Sequence, residues 1–177
     1  MRDRAIFVGN PDDIVPDRFG PELPLIRDWT REHYAFAGHA TGFDPADFAD
    51  RQALRHQLGY RDDEQVCIVT VGGSGVGGHL LRRHLAACDL AVVQGGLSTC
   101  MELTANRTPF LYFPLRHHFE QNFHVAHRLD RHRAGRRMDY ATTDPDTIAA
   151  EIGRTVDYRP VETDGAARAA SLIAELL

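Results

Sequence analysis

Lysine is absent. All 20 Lys-plus-Arg positions are arginine, which excludes a Schiff-base lysine and a phosphate-loop lysine together. Cysteine is scarce. Cys67, Cys88 and Cys100 stand apart in apolar surroundings and read as buried thiols of a reducing compartment. Long apolar runs are missing as well: nothing approaches the roughly 20 residues that a membrane helix needs. Met1-Arg-Asp-Arg leads into only Ala5-Ile-Phe-Val8, too little for a secretory leader. The expected location is cytoplasmic. With net charge −5, no nucleic-acid partner is expected.

What is present is an alternation of short apolar runs and helical patterns. Ala5–Val8 and Tyr34–Gly38 read as strands, with a helical turn at Trp29–His33 between them. Asp47–Leu58 has helical spacing. Leu90–Val93 and Pro109–Pro114 read as buried strands and Val66–Val71 as a fully apolar one, each followed by a loop and a helix. Gly135–Met138 reads as a short strand. Further helices are expected at Asp144 and from Glu162 to Leu177. Strand–helix alternation of this kind predicts a parallel, doubly wound α/β sheet.

Two glycine turns follow two of these strands. Gly72-Gly-Ser-Gly-Val-Gly-Gly78 is neither a Walker loop nor a well-spaced dinucleotide fingerprint, but its strand–turn–helix setting suits an anion. Gln94-Gly-Gly-Leu-Ser-Thr-Cys-Met-Glu102 repeats the arrangement. Ser98 and Thr99 are candidate caps of a helix whose N-terminus attracts negative charge, and Glu102 lies one turn in. After the third strand, Pro114-Leu-Arg-His-His-Phe-Glu-Gln-Asn122 sets a carboxylate beside two amides. That set can donate to and accept from sugar hydroxyls in fixed directions, or simply cap a helix.

These three motifs, in this order and spacing, resemble the nucleotide-sugar-binding domain of GT-B glycosyltransferases, above all glycosyltransferase family 28 and the UDP-glycosyltransferases. The resemblance runs from about Val66 to Asp139. It implies a Rossmann-like parallel sheet flanked by helices, the C-terminal half of a GT-B fold, with residues 47–177 as nucleotide-sugar-binding domain. Residues 1–46 would be a remnant of the acceptor-side domain and interdomain segment. It further implies that Gly73 and Ser74 contact the diphosphate and that Gly95, Gly96, Ser98 and Thr99 hold it from the other side. Glu102 would bind ribose. Glu120 and Gln121 would bind sugar hydroxyls with Asn122 nearby, and His117 would lie beside phosphate or sugar. The donor would be a UDP-sugar in an inverting transfer, with no cofactor and no metal.

Two departures from the pattern matter. The family's catalytic base sits in the N-terminal domain, so no catalytic residue is assigned here. Activity would need an acceptor-domain protein or a missing N-terminal domain. Only ten residues separate Gly78 from Asp89, so the sheet is expected to be short of one strand, with an under-covered outer face on Val66–Val71 or Leu90–Val93 that favours a homo-oligomer. The alternatives are a non-catalytic remnant and a UDP-sugar epimerase of the same fold. His117, His118, His124 and His127 cluster without completing a zinc spacing. The arginine run at 128, 131, 133, 136 and 137 reads as a solvated helix end, with peripheral membrane contact as the competing reading. Gly72-Gly-Ser-Gly75 is not a hydrolase elbow.

Overall fold

The computed structural model describes residues 3–71 and 78–176, excepting the His79 side chain. It divides into two compact units, residues 1–42 with 161–177, and residues 43–160.

In the first unit, β1 (Ala5–Val8) pairs in parallel with β2 (Tyr34–Gly38). Parallel neighbours need a crossover, supplied here by the irregular segment after β1 and by α1 (Ile26–His33). α1 is two turns long, against the single turn expected. The last helix, α7 (Gly165–Ala174), packs on β2. Its start is fixed by Gly165, whose N–H donates to the His39 carbonyl at 3.1 Å. A Cβ there would sit 2.5 Å from that same oxygen. The sequence division at residue 46 groups this helix with the second segment, whereas its contacts are with β2.

The second unit opens with α2 (Arg51–Gln57). Asp50 caps it, accepting from the Ala53 N–H at 2.9 Å. A four-stranded parallel sheet follows, in the order β3 (Cys67–Thr70), β4 (Leu90–Val93), β5 (Phe110–Tyr112), β6 (Arg136–Arg137). The crossovers are α3 (Gly78–Ala87), α4 (Leu97–Ala105), and a π-helical turn (Glu120–Val125) running into α5 (Ala126–His132). α6 (Pro145–Ala149) comes after β6, with Asp144 as its cap. This is the α/β, Rossmann-like arrangement of a parallel sheet flanked by helices.

Every residue of β4 and β5 is buried, as their unbroken apolar runs require. Leu90, Val92 and Leu111 form one core cluster with Phe113, Met138, Ile148 and Ile152. Leu54, Ala86 and Ala87 form a second with Phe48, Leu58 and Tyr60. β3 is different. It lies at one edge of the described sheet and its burial alternates, leaving Val69 71% and Val71 83% exposed. That alternation corrects the expectation of three buried thiols. Cys67 faces outward with Val69, whereas Cys88 and Cys100 are buried and burial pushes each of those thiols up to about 12. α3 runs into β4 through Cys88 and Asp89 alone, as the short interval implies.

An arginine staple holds α2 to the start of β4. Arg55 is buried. It donates to the Ala87 carbonyl at 2.9 Å, to the Glu64 carbonyl at 2.5 Å and to Asp89 at 3.1 Å. Asp89 also accepts from Arg51 at 2.7 Å and from the Val66 N–H at 2.8 Å. Burial works to raise the Asp89 pKa, but the Val66 N–H and the two guanidiniums outweigh it and hold it below the ordinary carboxylate value.

Candidate functional site

The turn from β4 into α4 is shaped by its two glycines, for different reasons. Gly95 has φ +101, which L side chains rarely adopt, and a Cβ there would lie 3.4 Å from the Tyr112 ring and 3.6 Å from the Pro114 Cα. The turn is therefore seated against the carboxyl end of β5 and the start of the loop beyond it. Gly96 is the N-cap of α4 in ordinary extended backbone (φ −66, ψ 137), with no side-chain cap hydrogen bond. It is exposed, with open space where a Cβ would be.

This corrects the capping role assigned to Ser98 and Thr99. They are the second and third residues of α4, since the first intrahelical bond runs from the Cys100 N–H to the Gly96 carbonyl at 3.1 Å. A serine or threonine cap would fill one of the free N–H groups of the first turn with its own oxygen. A glycine cap cannot. The donors of Leu97, Ser98 and Thr99 thus face outward at the positive end of the helix.

Glu102 lies in the next turn with its side chain 14% exposed. Arg82, on α3, reaches it. Arg82 Nε donates to both carboxylate oxygens, at 3.2 and 3.3 Å, and Nη2 lies 3.2 Å from Oε1. The contact ties together the helices that follow the two glycine turns. The strands before them are in register as well, Thr70 opposite Val93. Gly73 and Ser74 lie outside the described residues.

The loop after β5 is held by the amides once assigned to sugar. Gln121 is buried, and its Oε1 accepts from the Leu115 N–H at 2.8 Å. Asn122 Nδ2 donates to the carbonyls of Leu115 and His118, at 2.7 and 2.8 Å. Asn122 Oδ1 accepts from Arg137 Nη2 at 2.6 Å. Asn122 is therefore used up in shaping the loop, while among the described residues the Gln121 amide N–H pair donates to no acceptor. His118 Nδ1 accepts from the Gln121 N–H at 3.4 Å. His117 and Glu120 are exposed. Among the described residues the Glu120 side chain enters no hydrogen bond or ion pair.

The helix opens in π form over Glu120–Val125, a widened turn that often marks functional positions. α4 packs against this turn and against α5. Phe119 stacks obliquely on Phe123, ring centroids 4.8 Å apart, with both exposed. Burial and the neighbouring Arg128 depress the His124 pKa. Among the described residues no three His, Cys, Asp or Glu side chains converge as a metal site, and no helix is long and apolar enough to cross a membrane.

Arg82 and Arg137 are the functional neighbours that sequence reasoning missed. The available signals were a cation on the helix after the first glycine motif, for Arg82, and membership of the arginine run, for Arg137. Their partners lie 20 and 15 residues away, a pairing only the fold makes. The arginine run also departs from a solvated helix end: Arg128 is buried, Arg136 pairs with Glu151, and Arg137 holds Asn122.

Fold and motifs together define a glycosyltransferase domain of the Rossmann-like kind, its glycine turn and polar loop side by side at the carboxyl ends of β4 and β5. The model of the glycosyltransferase family 28 C-terminal domain matches residues 41–176, and the chain belongs to that family. No curated protein and no solved structure matches it.

Proposed function

We propose that this chain binds a UDP-activated sugar and presents it for an inverting glycosyl transfer completed by an acceptor domain on another chain or segment. The observation that carries this reading is the glycine cap of α4. It leaves first-turn N–H donors open within reach of the loop after β5, at the strand ends where α/β sheets hold ligands.

The diphosphate rests on the N–H groups of Gly96, Ser98 and Thr99, and the family resemblance assigns it Gly73 and Ser74 as well, outside the described residues. Glu102 accepts from the ribose hydroxyls on the lone pairs that Arg82 leaves free. Glu120 and the Gln121 amide N–H pair take sugar hydroxyls, and His117 borders the phosphate. In the transfer, the acceptor oxygen forms its bond to the anomeric carbon from the face opposite the diphosphate, while the anomeric C–O bond to phosphate breaks. The electron pair leaves with the diphosphate, where oriented N–H donors and the helix dipole stabilise the added charge without a metal. The acceptor proton goes to a base outside this chain. Work on a cytoplasmic donor fits the reducing compartment suggested by Cys88 and Cys100. The exposed Val69 and Val71 offer a surface for self-association.

Calorimetric titration with UDP tests the reading. Saturable binding is expected, weakened at least roughly tenfold by Glu102→Ala, since hydrogen bonds to a charged acceptor are lost. An intermediate loss is expected for Arg82→Ala, which frees the carboxylate to turn away. Absence of binding at millimolar UDP would instead identify a remnant without a donor site. Conversion of UDP-N-acetylglucosamine to an epimer by the chain alone would move the assignment to an epimerase.

A further inference from the structure

The parallel sheet has a second end. Where β4, β5 and β6 begin, a cavity of about 500 Å³ is lined by the first residue of each strand and by the segment 154–158. Its inner wall is aromatic: Phe110 and Tyr158 meet edge to face, centroids 6.0 Å apart. Its rim carries Arg133, Arg136 and Arg154. The Glu151 carboxylate, 10% exposed, pairs with both Arg136 and Arg154, the latter at 2.8 Å. The Arg154 and Arg136 guanidiniums outweigh burial and hold the Glu151 pKa below its usual value. Arg133 is different. Among the described residues its side chain makes no ion pair or hydrogen bond. It also sits at the C-cap of α5 with φ 53, a left-handed conformation that a non-glycine residue seldom adopts. Asp157, also on the rim, pairs at 3.7 Å with Arg107. The donor site uses none of these groups.

We propose that this cavity is a second small-molecule site, for a phosphate monoester with an apolar or aromatic body. Its volume falls among small-ligand pockets and exceeds what a bare phosphate fills. Guanidinium forks match phosphoryl oxygens two at a time. Three cations against Glu151, with the rim carboxylate of Asp157 paired to Arg107, favour a dianion over a monoanion. Glu151 fixes two of the guanidiniums before the ligand arrives, which lowers the ordering cost of binding. Arg133 supplies the third and is the one with no competing partner.

The test is calorimetry on the full chain with phenyl phosphate, inorganic phosphate and benzoate. Phenyl phosphate saturates most tightly, and its affinity climbs as pH rises through about 6, where such a group takes its second charge. Arg133→Gln, an exposed position, weakens phenyl phosphate roughly tenfold and leaves UDP binding unchanged. Arg154→Gln repeats the loss. Glu102→Ala does the reverse, so failure of the donor site and failure of this one are read separately. Absence of saturable phenyl phosphate binding overturns the proposal. So does equal binding of benzoate, or a loss that follows Glu102→Ala instead of Arg133→Gln.

Discussion

The two ends of the parallel sheet are built on opposite rules. At the amino end most charge is matched inside the protein, with Arg133 on the cavity rim the exception among the described residues. Asp89 holds Arg51, Arg55 and the Val66 N–H, and Glu151 holds Arg136 and Arg154. At the carboxyl end, donors and acceptors are left over. Gly96 brings no capping oxygen to α4, the Glu120 side chain has no hydrogen-bonding partner among the described residues, and Gln121 spends only its oxygen on the loop. Internal matching favours a single rigid geometry. Unspent groups favour a ligand that completes them, at some expense in intrinsic stability. The comparison is clean because the same strands, β4 and β5, run through both ends.

The largest effect is expected from Arg55→Ala. It leaves Asp89 half-matched and several carbonyls unbonded, and removing one partner of an interior ion pair typically costs about 3–5 kcal/mol. Urea denaturation followed by circular dichroism reads it. A loss below 1 kcal/mol would show that the amino end is not where stability resides.

Gly135→Ala comes next. Gly135 has φ +62, and its new methyl would meet the Phe110 ring at 2.3 Å. Phe110 is buried, so overpacking together with the unfavourable positive φ is expected to cost roughly 3 kcal/mol. A variant as stable as the parent by thermal melting would contradict this account of the β5–β6 start.

Gly96→Asp sharpens the contrast, because stability and binding should part. A carboxylate cap satisfies first-turn donors of α4 and suits the dipole, so stability read by thermal melting holds or rises slightly, by a few tenths of a kcal/mol. The same carboxylate occupies the place proposed for diphosphate, so UDP affinity falls by at least about tenfold. Unchanged UDP affinity would remove the α4 N-terminus from the proposed site.

The smallest effect is confined to acid. The Asp89 pKa is lowered in the folded chain, so its contribution is full above the unfolded value of about 3.9 and fades as pH falls through the folded one. Melting temperature should be flat near neutrality and drop below about pH 4. In Asp89→Asn the neutral-pH value is lower and the acid slope shallower. A parallel acid slope in both proteins assigns the titration elsewhere.

Much of this was legible in advance. The strands β3, β4 and β5 announce themselves as apolar runs closed by glycine or proline, and their order with the helices dictates a parallel sheet. The helix start at Asp144 is local chemistry and was read locally. The cap of α4 was misread because serine outranks glycine as an N-cap on intrinsic preference, while the seating of Gly95 against Pro114 fixes the turn one step earlier. The under-covered outer face expected on Val66–Val71 or Leu90–Val93 falls on β3, where Cys67 and Val69 are exposed, while β4 is buried throughout. The roles of Gln121 and Asn122 could not be divided from sequence, since helix-start amides serve a sugar or a loop equally well. Arg82, Arg133 and Arg137 gained their meaning only from partners, or lack of them, that folding decides.

The bare glycine at the head of α4 has a kinetic signature. Backbone hydrogens with no acceptor inside the molecule trade with solvent deuterium almost as freely as in an unfolded peptide. Those of Leu97, Ser98 and Thr99 should therefore label within the dead time of a mass-spectrometric exchange experiment, while Met101 and Leu103 on the same helix stay protected. Whatever occupies the helix head will announce itself as slowed labelling of that one short peptide.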